Sequence, residues 1–469
     1  MLYFRQYYLG CLSHASYLVG DTSTGRAVVV DPQRDIDEYL RDAAANDLRI
    51  ERVIETHFHA DFLSGHLELA EATGAVISYG DAAAGRAEYE IEPLHHGQRL
   101  SLGEVELEIR STPGHTPESI SIVVWSHAND DTPYGVLTGD TLFIGDVGRP
   151  DLLVSIGHTA EELGCMLYHS LHEQLLSLPD ATRVFPAHGA GSACGKNLST
   201  ETQSTIGAER ITNYALQPMT EEEFVEVVTE GQPAAPPYFL FAATRNRQQR
   251  ALLQEQGITP MTLDEVLEAQ RRGAVVLDTR DQVMFAAGHL KESIDVGLDG
   301  RFAEYTGDVL EPHTPIILVG EPNTEAEART RLARIGFDNV IGALDDYVAA
   351  FMEHPELVER ASRLTVEELA DARSAVPDLQ VVDIRNQGEI DETGSIPGSV
   401  SIPLPQLVGR LGELDPDAPT VVYCAGGYRS TIAASALRAN GFADVSDLLG
   451  GIGAWGGSGN EHADAGTAV

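Results

Sequence analysis

His57-Phe58-His59-Ala60-Asp61-Phe62 sets three metal-type ligands within a few residues, directly after the apolar pair Val53-Ile54. Three later segments repeat the arrangement. His115 in Pro113-Gly114-His115-Thr116 follows the run Val105 to Ile109, Asp140 in Thr138-Gly139-Asp140-Thr141 follows Val136-Leu137, and His188 in Pro186-Ala187-His188-Gly189 follows Val184-Phe185. A short apolar run closed by turn residues predicts a buried strand. Ligands at the ends of several strands converge on one rim of a sheet, which is costly to fold unless a metal occupies it. Neutral imidazoles and a carboxylate suit zinc or iron. The pattern predicts a metalloenzyme. His95, His96, His127 and His172 lack such company and read as surface or packing residues.

At 469 residues the chain exceeds one ordinary domain, and two to four are expected. No stretch approaches the roughly 20 unbroken apolar residues of a membrane span. The N-terminus lacks a signal-peptide pattern, so a cytoplasmic protein is expected. Cys11, Cys165, Cys194 and Cys424 are widely spaced and form no Cys-x-x-Cys pair, which speaks against a zinc knuckle or a disulfide scaffold. The formal net charge of −41 predicts a solvated acidic surface that repels nucleic acid and acidic membranes. An anionic substrate must then be drawn in by local positive charge.

Residues 1 to about 210 read as mixed strands and helices. Ser16 to Val19 and Arg26 to Val30 flank a hairpin turn, and helix patterns run over Ile36 to Ala45, Ser64 to Ala72 and Ala160 to Ser177. An acidic helix pattern, Glu221 to Glu230, leads into a proline cluster at 233–237, which marks a linker or docking arm. Beyond about residue 255 the chain repeats itself. Met261-Thr262-Leu263-Asp264-Glu265 resembles Leu364-Thr365-Val366-Glu367-Glu368, Leu277-Asp278-Thr279-Arg280 resembles Val382-Asp383-Ile384-Arg385, and Ile316 to Val319 resembles Thr420 to Tyr423. Strands alternating with helix patterns predict a parallel α/β sheet in each copy. The tail after Trp455 is polar and glycine-rich and is expected to be disordered.

On its ligand motif, the first 210 residues resemble the metallo-β-lactamase fold. The fourth position of that motif is Phe62, where the two-metal hydrolases carry histidine. A phenyl ring binds no metal, so one ion is expected. The family branch with one ion is the persulfide dioxygenases. That resemblance implies a single Fe(II) held by His57, His115 and Asp140, with His59, Asp61 and His188 orienting the ligands or the bound persulfide. It implies oxidation of a low-molecular-weight thiol persulfide by O2 to sulfite and thiol. Gly148-Arg149-Pro150-Asp151 resembles a segment of the same branch, which makes Arg149 either a substrate carboxylate binder or a structural ion-pair residue. Cys194, in the glycine-rich loop after His188, is either a persulfide carrier near the iron or a buried small residue.

Downstream, Cys424 follows a strand pattern and precedes a helix pattern from Ser430. Backbone N–H groups and the helix dipole in such a loop stabilise a thiolate and a bound anionic sulfur. Residues 363 to about 457 resemble a rhodanese domain through Asp383-Ile384-Arg385, Ile396-Pro397-Gly398 and Gly450-Gly451-Ile452-Gly453-Ala454-Trp455. The loop from Cys424 to Arg429 suits sulfur transfer in that family, with Cys424 the nucleophile and Arg429 a substrate-binding candidate. The first copy has Val319-Gly320-Glu321-Pro322 in that place and no thiol. The expected whole is an α/β multidomain chain. A metallo-β-lactamase αββα sandwich with a linker arm occupies 1–255, a rhodanese-like domain without the cysteine 256–358, and an active rhodanese domain with a disordered tail 359–469. Sulfite made at the iron and sulfur carried on Cys424 would combine as thiosulfate, and a homo-oligomer is expected. The alternatives are a thioester hydrolase of the glyoxalase II type, or a sulfur carrier or scaffold whose metal site is vestigial.

Overall fold

The computed structural model describes residues 1–152, 157–253 and 257–457. The chain divides into two compact units: Met1–Gln232 with Phe239–Gln254, and Pro233–Tyr238 with Glu255–Val469.

The first unit is built on two six-stranded sheets. One runs, in spatial order, Leu2–Leu9, His14–Asp21, Arg26–Val30, Arg49–Ile54, Val76–Gly80 and Glu92–Leu94. The other runs Ser204–Thr205, Arg183–Pro186, Gly135–Gly139, Ile120–Trp125, Glu106–Ser111 and Arg99–Ser101. Their inner faces share one core in which Val19, Val28, Val30 and Ile54 meet Ile109, Ile122, Leu137 and Phe185. Helices cover the outer faces: Asp37–Ala45 places Tyr39 and Ala43 on the first sheet, and Ala160–His169 places Leu167 on the second. The strand Gly135–Gly139 is parallel to Arg183–Pro186 and lies two antiparallel steps from Glu106–Ser111. These three strands therefore end on one rim, and each is followed there by one of the expected ligands.

The second unit repeats one sheet twice. Pro260–Met261, Val340–Leu344, Ile316–Val319, Val275–Asp278 and Ile294–Asp295 form a parallel sheet in that order. Ser362–Leu364, Val445–Leu448, Thr420–Tyr423, Gln380–Asp383 and Val400–Ser401 form its twin. The sequence repeats have physical roles. Thr262 with Glu265 and Thr365 with Glu368 are capping boxes that start equivalent helices. Arg280 forks onto Asp278 and Arg385 onto Asp383, all four buried.

Some elements differ from the sequence reading. The helix expected from Ser64 begins at His66, because Ser64 and Gly65 are drawn into a bridge with Gln33 and a bond to the Pro32 carbonyl. The long helix pattern from Ala160 continues past His169 as a π-helical segment, Ser170–Leu175. Between the proline cluster and the expected boundary near 255, where no element was assigned, lies a helix, Phe239–Arg245, packed in the first unit. The final helix, Gly451–Gly457, extends past Trp455. The remainder of the expected disordered tail, 458–469, lies outside the described residues. Among the described residues, no helix is long and apolar enough to cross a membrane.

Candidate metal centre and cysteine loop

Nε2 of His115 lies 3.5 Å and Nε2 of His57 lies 3.9 Å from Oδ2 of Asp140. Their other atoms are already engaged, and this fixes which atoms face inward. Thr56 Oγ1 donates its one proton to Asp31 Oδ2, so Nδ1–H of His57 donates to Thr56 Oγ1 at 3.0 Å. Nδ1–H of His115 donates to the Arg149 carbonyl, also at 3.0 Å. Both Nε2 atoms therefore present lone pairs. Asp140 accepts from His188 Nδ1 through Oδ1 at 2.8 Å, which leaves Oδ2 for the centre. Nε2 of His57 and Oδ2 of Asp140 are buried and carry no hydrogen bond. Orphaned atoms of this kind are costly unless something binds them, and two imidazoles with one carboxylate fit a divalent transition metal.

Burial and the neighbouring His59 hold the His57 imidazole well below its ordinary pKa, in the neutral form a metal needs. Burial alone would raise the Asp140 carboxyl, but His188 and His57 beside it bring it well below the usual range. The turn carrying Gly148 presses on Asp140 so closely that a Cβ at Gly148 would lie 1.9 Å from the Asp140 carbonyl oxygen.

Among the described residues two further groups have metal-like composition: Asp31, Glu55 and His59, and Asp61, His188 and Cys194. Both have internal partners. His59 Nε2 sits 3.0 Å from Asp31 Oδ1 and 3.4 Å from Glu55 Oε2. Burial lowers the His59 pKa, yet the two carboxylates outweigh it and raise it to about 10. His59 is thus turned toward these two acids. His188 Nε2 contacts Asp61 Oδ2 at 2.7 Å, so His188 bridges Asp61 to Asp140. Cys194 is fully buried beside this pair, and burial pushes its thiol well above the ordinary value. Arg149 forks onto Asp151 with two bonds of 2.6 Å and reaches the Ala193 carbonyl at 3.2 Å. The carboxylate it holds here is therefore the chain's own.

Sequence reasoning missed Asp31, Glu55 and His14. Asp31 and Glu55 each follow an apolar strand directly, the same signal that exposed the histidines. His14, on the strand beside His188, is buried with both ring nitrogens lacking hydrogen bonds, and its ring packs 4.0 Å from that of Phe62.

In the second unit Cys424 follows Thr420–Tyr423 and is buried beneath its loop. Gly427 N–H donates to Cys424 Sγ at 3.1 Å, and Ser430 Oγ lies 3.7 Å from it. The helix expected from Ser430 begins at Arg429. The Gly450-Gly451 pair has a geometric reason. Ile452 N–H donates to the Cys424 carbonyl, and a Cβ on Gly451, at φ +56°, would lie 2.2 Å from that oxygen. Arg429 forks onto Glu389 at 2.6 and 2.8 Å. The cysteine-less copy packs against this loop: Tyr428 Oη donates to the Gly297 carbonyl at 3.0 Å, and the Tyr305 and Tyr428 rings meet at 5.7 Å.

The two folds and the buried ligand set define a metallo-β-lactamase-type metalloenzyme joined to a rhodanese pair. The Metallo-beta-lactamase superfamily matches residues 9–188, and the Rhodanese-like domain matches twice, over 262–353 and 365–458. The crystal structure of a metallo-beta-lactamase from Staphylococcus aureus subsp. aureus COL is 33% identical, covers 73% of this chain and 98% of that one, and superposes with a TM-score of 0.66. Persulfide dioxygenase ETHE1, mitochondrial, of Bos taurus is 32% identical over 237 residues, 49% of this chain and 82% of the relative. Hydroxyacylglutathione hydrolase of Polaromonas sp. is 33% identical over 174 residues, 37% of this chain and 61% of that enzyme. The chain belongs to the persulfide dioxygenase family and carries two C-terminal rhodanese-like domains.

Proposed function

We propose that this chain oxidises a low-molecular-weight thiol persulfide with O2 at one ferrous ion and moves sulfane sulfur through Cys424. In the first reaction RSSH, O2 and H2O give RSH and sulfurous acid; the outer sulfur is oxidised, dioxygen is reduced, and sulfite forms on loss of protons. In the second, the S–S bond of the Cys424 persulfide breaks as its outer sulfur bonds to sulfite, giving thiosulfate and the thiolate. The same exchange run backward would load a thiol from thiosulfate. The observation carrying the reading is the inward-facing set of His57 Nε2, His115 Nε2 and Asp140 Oδ2, with Phe62 in place of a further ligand.

Held by His57, His115 and Asp140, ferrous iron would activate dioxygen for reaction with the outer sulfur of the substrate. The chain's own residues do the rest. Thr56 and the Arg149 carbonyl hold the two imidazoles in the tautomer with Nε2 unprotonated. His188, gripped by Asp61, fixes the rotation of Asp140. Phe62 packs on His59 and Phe143 on His188, so both rings brace residues that back the centre. At the second site the Gly427 N–H is placed to stabilise negative charge on sulfur. Four free cysteines fit a reducing, cytoplasmic setting.

The test is oxygen uptake by iron-loaded protein across a panel of low-molecular-weight persulfides, with metal analysis of the same sample. Persulfide-dependent uptake with one iron per chain supports the reading. Paired zinc ions with thioester cleavage and no oxygen uptake would replace it with a hydrolase.

A further inference from the structure

The ligand-bearing loop between the strand Arg49–Ile54 and the helix His66–Thr73 is irregular and buried, so its backbone polar groups need partners. A single side chain from far along the sequence provides several. Asn246 Nδ2 donates to the His59 carbonyl at 2.9 Å and to the Phe62 carbonyl at 2.8 Å, and Asn246 Oδ1 accepts from Ser64 N–H at 2.9 Å. Two donors and one acceptor are what a primary amide offers in these directions. Asn246 is itself 1% exposed and is fixed in turn. Tyr89 Oη donates to its carbonyl at 2.6 Å. Four residues on, Arg250 binds the Ser64 carbonyl and forks onto Glu68, and Arg34 Nη2 donates to the Ala251 carbonyl at 3.2 Å.

The two carbonyls gripped by Asn246 bracket Asp61. Pinning them fixes the 59–60 and 62–63 peptides, one step outside the two that flank Asp61, and so restricts the turn that sets the direction of its carboxylate. Asp61 holds His188, and His188 holds Asp140. We propose that Asn246 is a positioning residue of the metal centre, acting through Asp61 and His188 on the orientation of Asp140. This rests on reading His57, His115 and Asp140 as the ligands, and it goes beyond that reading by placing a determinant of the centre on a strap distant in sequence. The strap, Phe239–Gln254, is bracketed along the chain by segments of the other unit. The motif loop is thus completed only when the chain returns to the first unit.

The variants are Asn246→Ala, which leaves three groups unpartnered, and Asn246→Asp, which keeps the shape and sets carboxylate oxygens against two carbonyls. The probe is Co(II) alone, titrated into the full-length apoprotein and followed by its ligand-field absorption, with Fe(II) loading and oxygen uptake measured in parallel. The loss of an outer hydrogen-bonding partner of a metal ligand typically weakens metal binding by about 10–100-fold. Both variants are expected to bind Co(II) at least tenfold more weakly, with a changed absorption spectrum, and to lose kcat while KM for persulfide stays within about twofold. A residue that only supports the fold would lower the melting temperature and leave Co(II) affinity and spectrum untouched; that result overturns the proposal. If both variants fail to fold, Arg250→Lys carries the test. It keeps a cation near Glu68 and disturbs the Ser64 carbonyl contact, so weaker Co(II) binding supports the strap's role and unchanged binding overturns it. Wild-type protein that takes up no Co(II) or Fe(II) would sink the assignment of the centre itself, whereas normal uptake by both wild type and variants sinks only the role of Asn246.

Discussion

Phe62→His restores the imidazole that two-metal relatives of this fold carry, and the structure sets how large the effect should be. Phe62 is 1% exposed, with its ring 4.0 Å from His14 and 4.4 Å from His59. Losing a buried phenyl ring forfeits about 2–3 kcal/mol of transfer free energy. A buried imidazole nitrogen without a partner costs about 1–3 kcal/mol more. The metal-free variant is therefore destabilised by about 3–6 kcal/mol, a fall of roughly 6–24 °C in the melting temperature of a unit this size. The introduced imidazole lies in sequence next to Asp61, whose carboxylate contacts His188. These three can hold a second divalent ion. At a free concentration of about 100 times its Kd, that ion returns about 2.7 kcal/mol, or roughly 5–10 °C. The assay is thermal melting of chelated and zinc-loaded protein, paired with metal analysis. The wild type should hold one ion and the variant two, with a larger zinc-induced shift in the variant. Two ions in the wild type, or equal shifts in both proteins, would refute the argument that Phe62 sets the stoichiometry.

Cys424→Ser should abolish sulfur transfer to sulfite while persulfide-dependent oxygen uptake persists; loss of uptake in the folded variant would join the two chemistries into one. Asp308 has a pH signature, with Oδ1 buried and unbonded. Burial, with Glu304 adding to it, raises its carboxyl from the ordinary range of about 4 to about 8, although Arg301 and Arg429 oppose the shift. A raised folded-state pKa gives stability that is complete below about 4 and is lost as pH climbs through about 8. Asn cannot ionise, so the melting temperature of Asp308→Asn relative to wild type should grow between pH 5 and pH 8.5; a difference independent of pH would contradict this. Tyr428→Phe removes the hydroxyl bonded to the Gly297 carbonyl, and it should lower stability by about 1 kcal/mol and slow sulfur transfer without touching oxygen uptake.

The parts of the site visible in the sequence were those written as local pattern. Before His57, Asp140 and His188 the signal is an apolar pair, before His115 apolar residues alternate with charged ones, and all four stretches lie in strands. The internal repeat was equally legible, since a capping box and a buried Asp–Arg fork each need fixed residues at fixed spacing. Contacts with no local signature stayed hidden. Asn246 meets His59 and Phe62 across 187 and 184 positions and looks, in sequence, like any polar residue after a short helix. The orientation of His59 was equally unreadable. Its motif position is that of a ligand, and only the fold brings Asp31 and Glu55 close enough to turn it away.

The cysteine-less copy contacts its twin through groups that need no cysteine. Where the second copy has Cys424, the first places a short turn whose Glu321 accepts from Tyr347 Oη at 2.9 Å, so its loop is held internally. Its helix Phe302–Val309 and the turn before it face the other copy. Gly297 and Asp299 offer carbonyls to Tyr428, Tyr305 meets the Tyr428 ring, and Asp295 N–H donates to Ser435 Oγ on the helix that follows the Cys424 loop. All but the last of these contacts fall at Tyr428, between the Gly427 N–H that touches sulfur and the Arg429 that Glu389 clamps. A loop that stabilises sulfur with backbone N–H groups works only if its peptides cannot swing away. That support needs no thiol in the first copy, because the atoms that make it are two backbone carbonyls, one backbone N–H and one aromatic face.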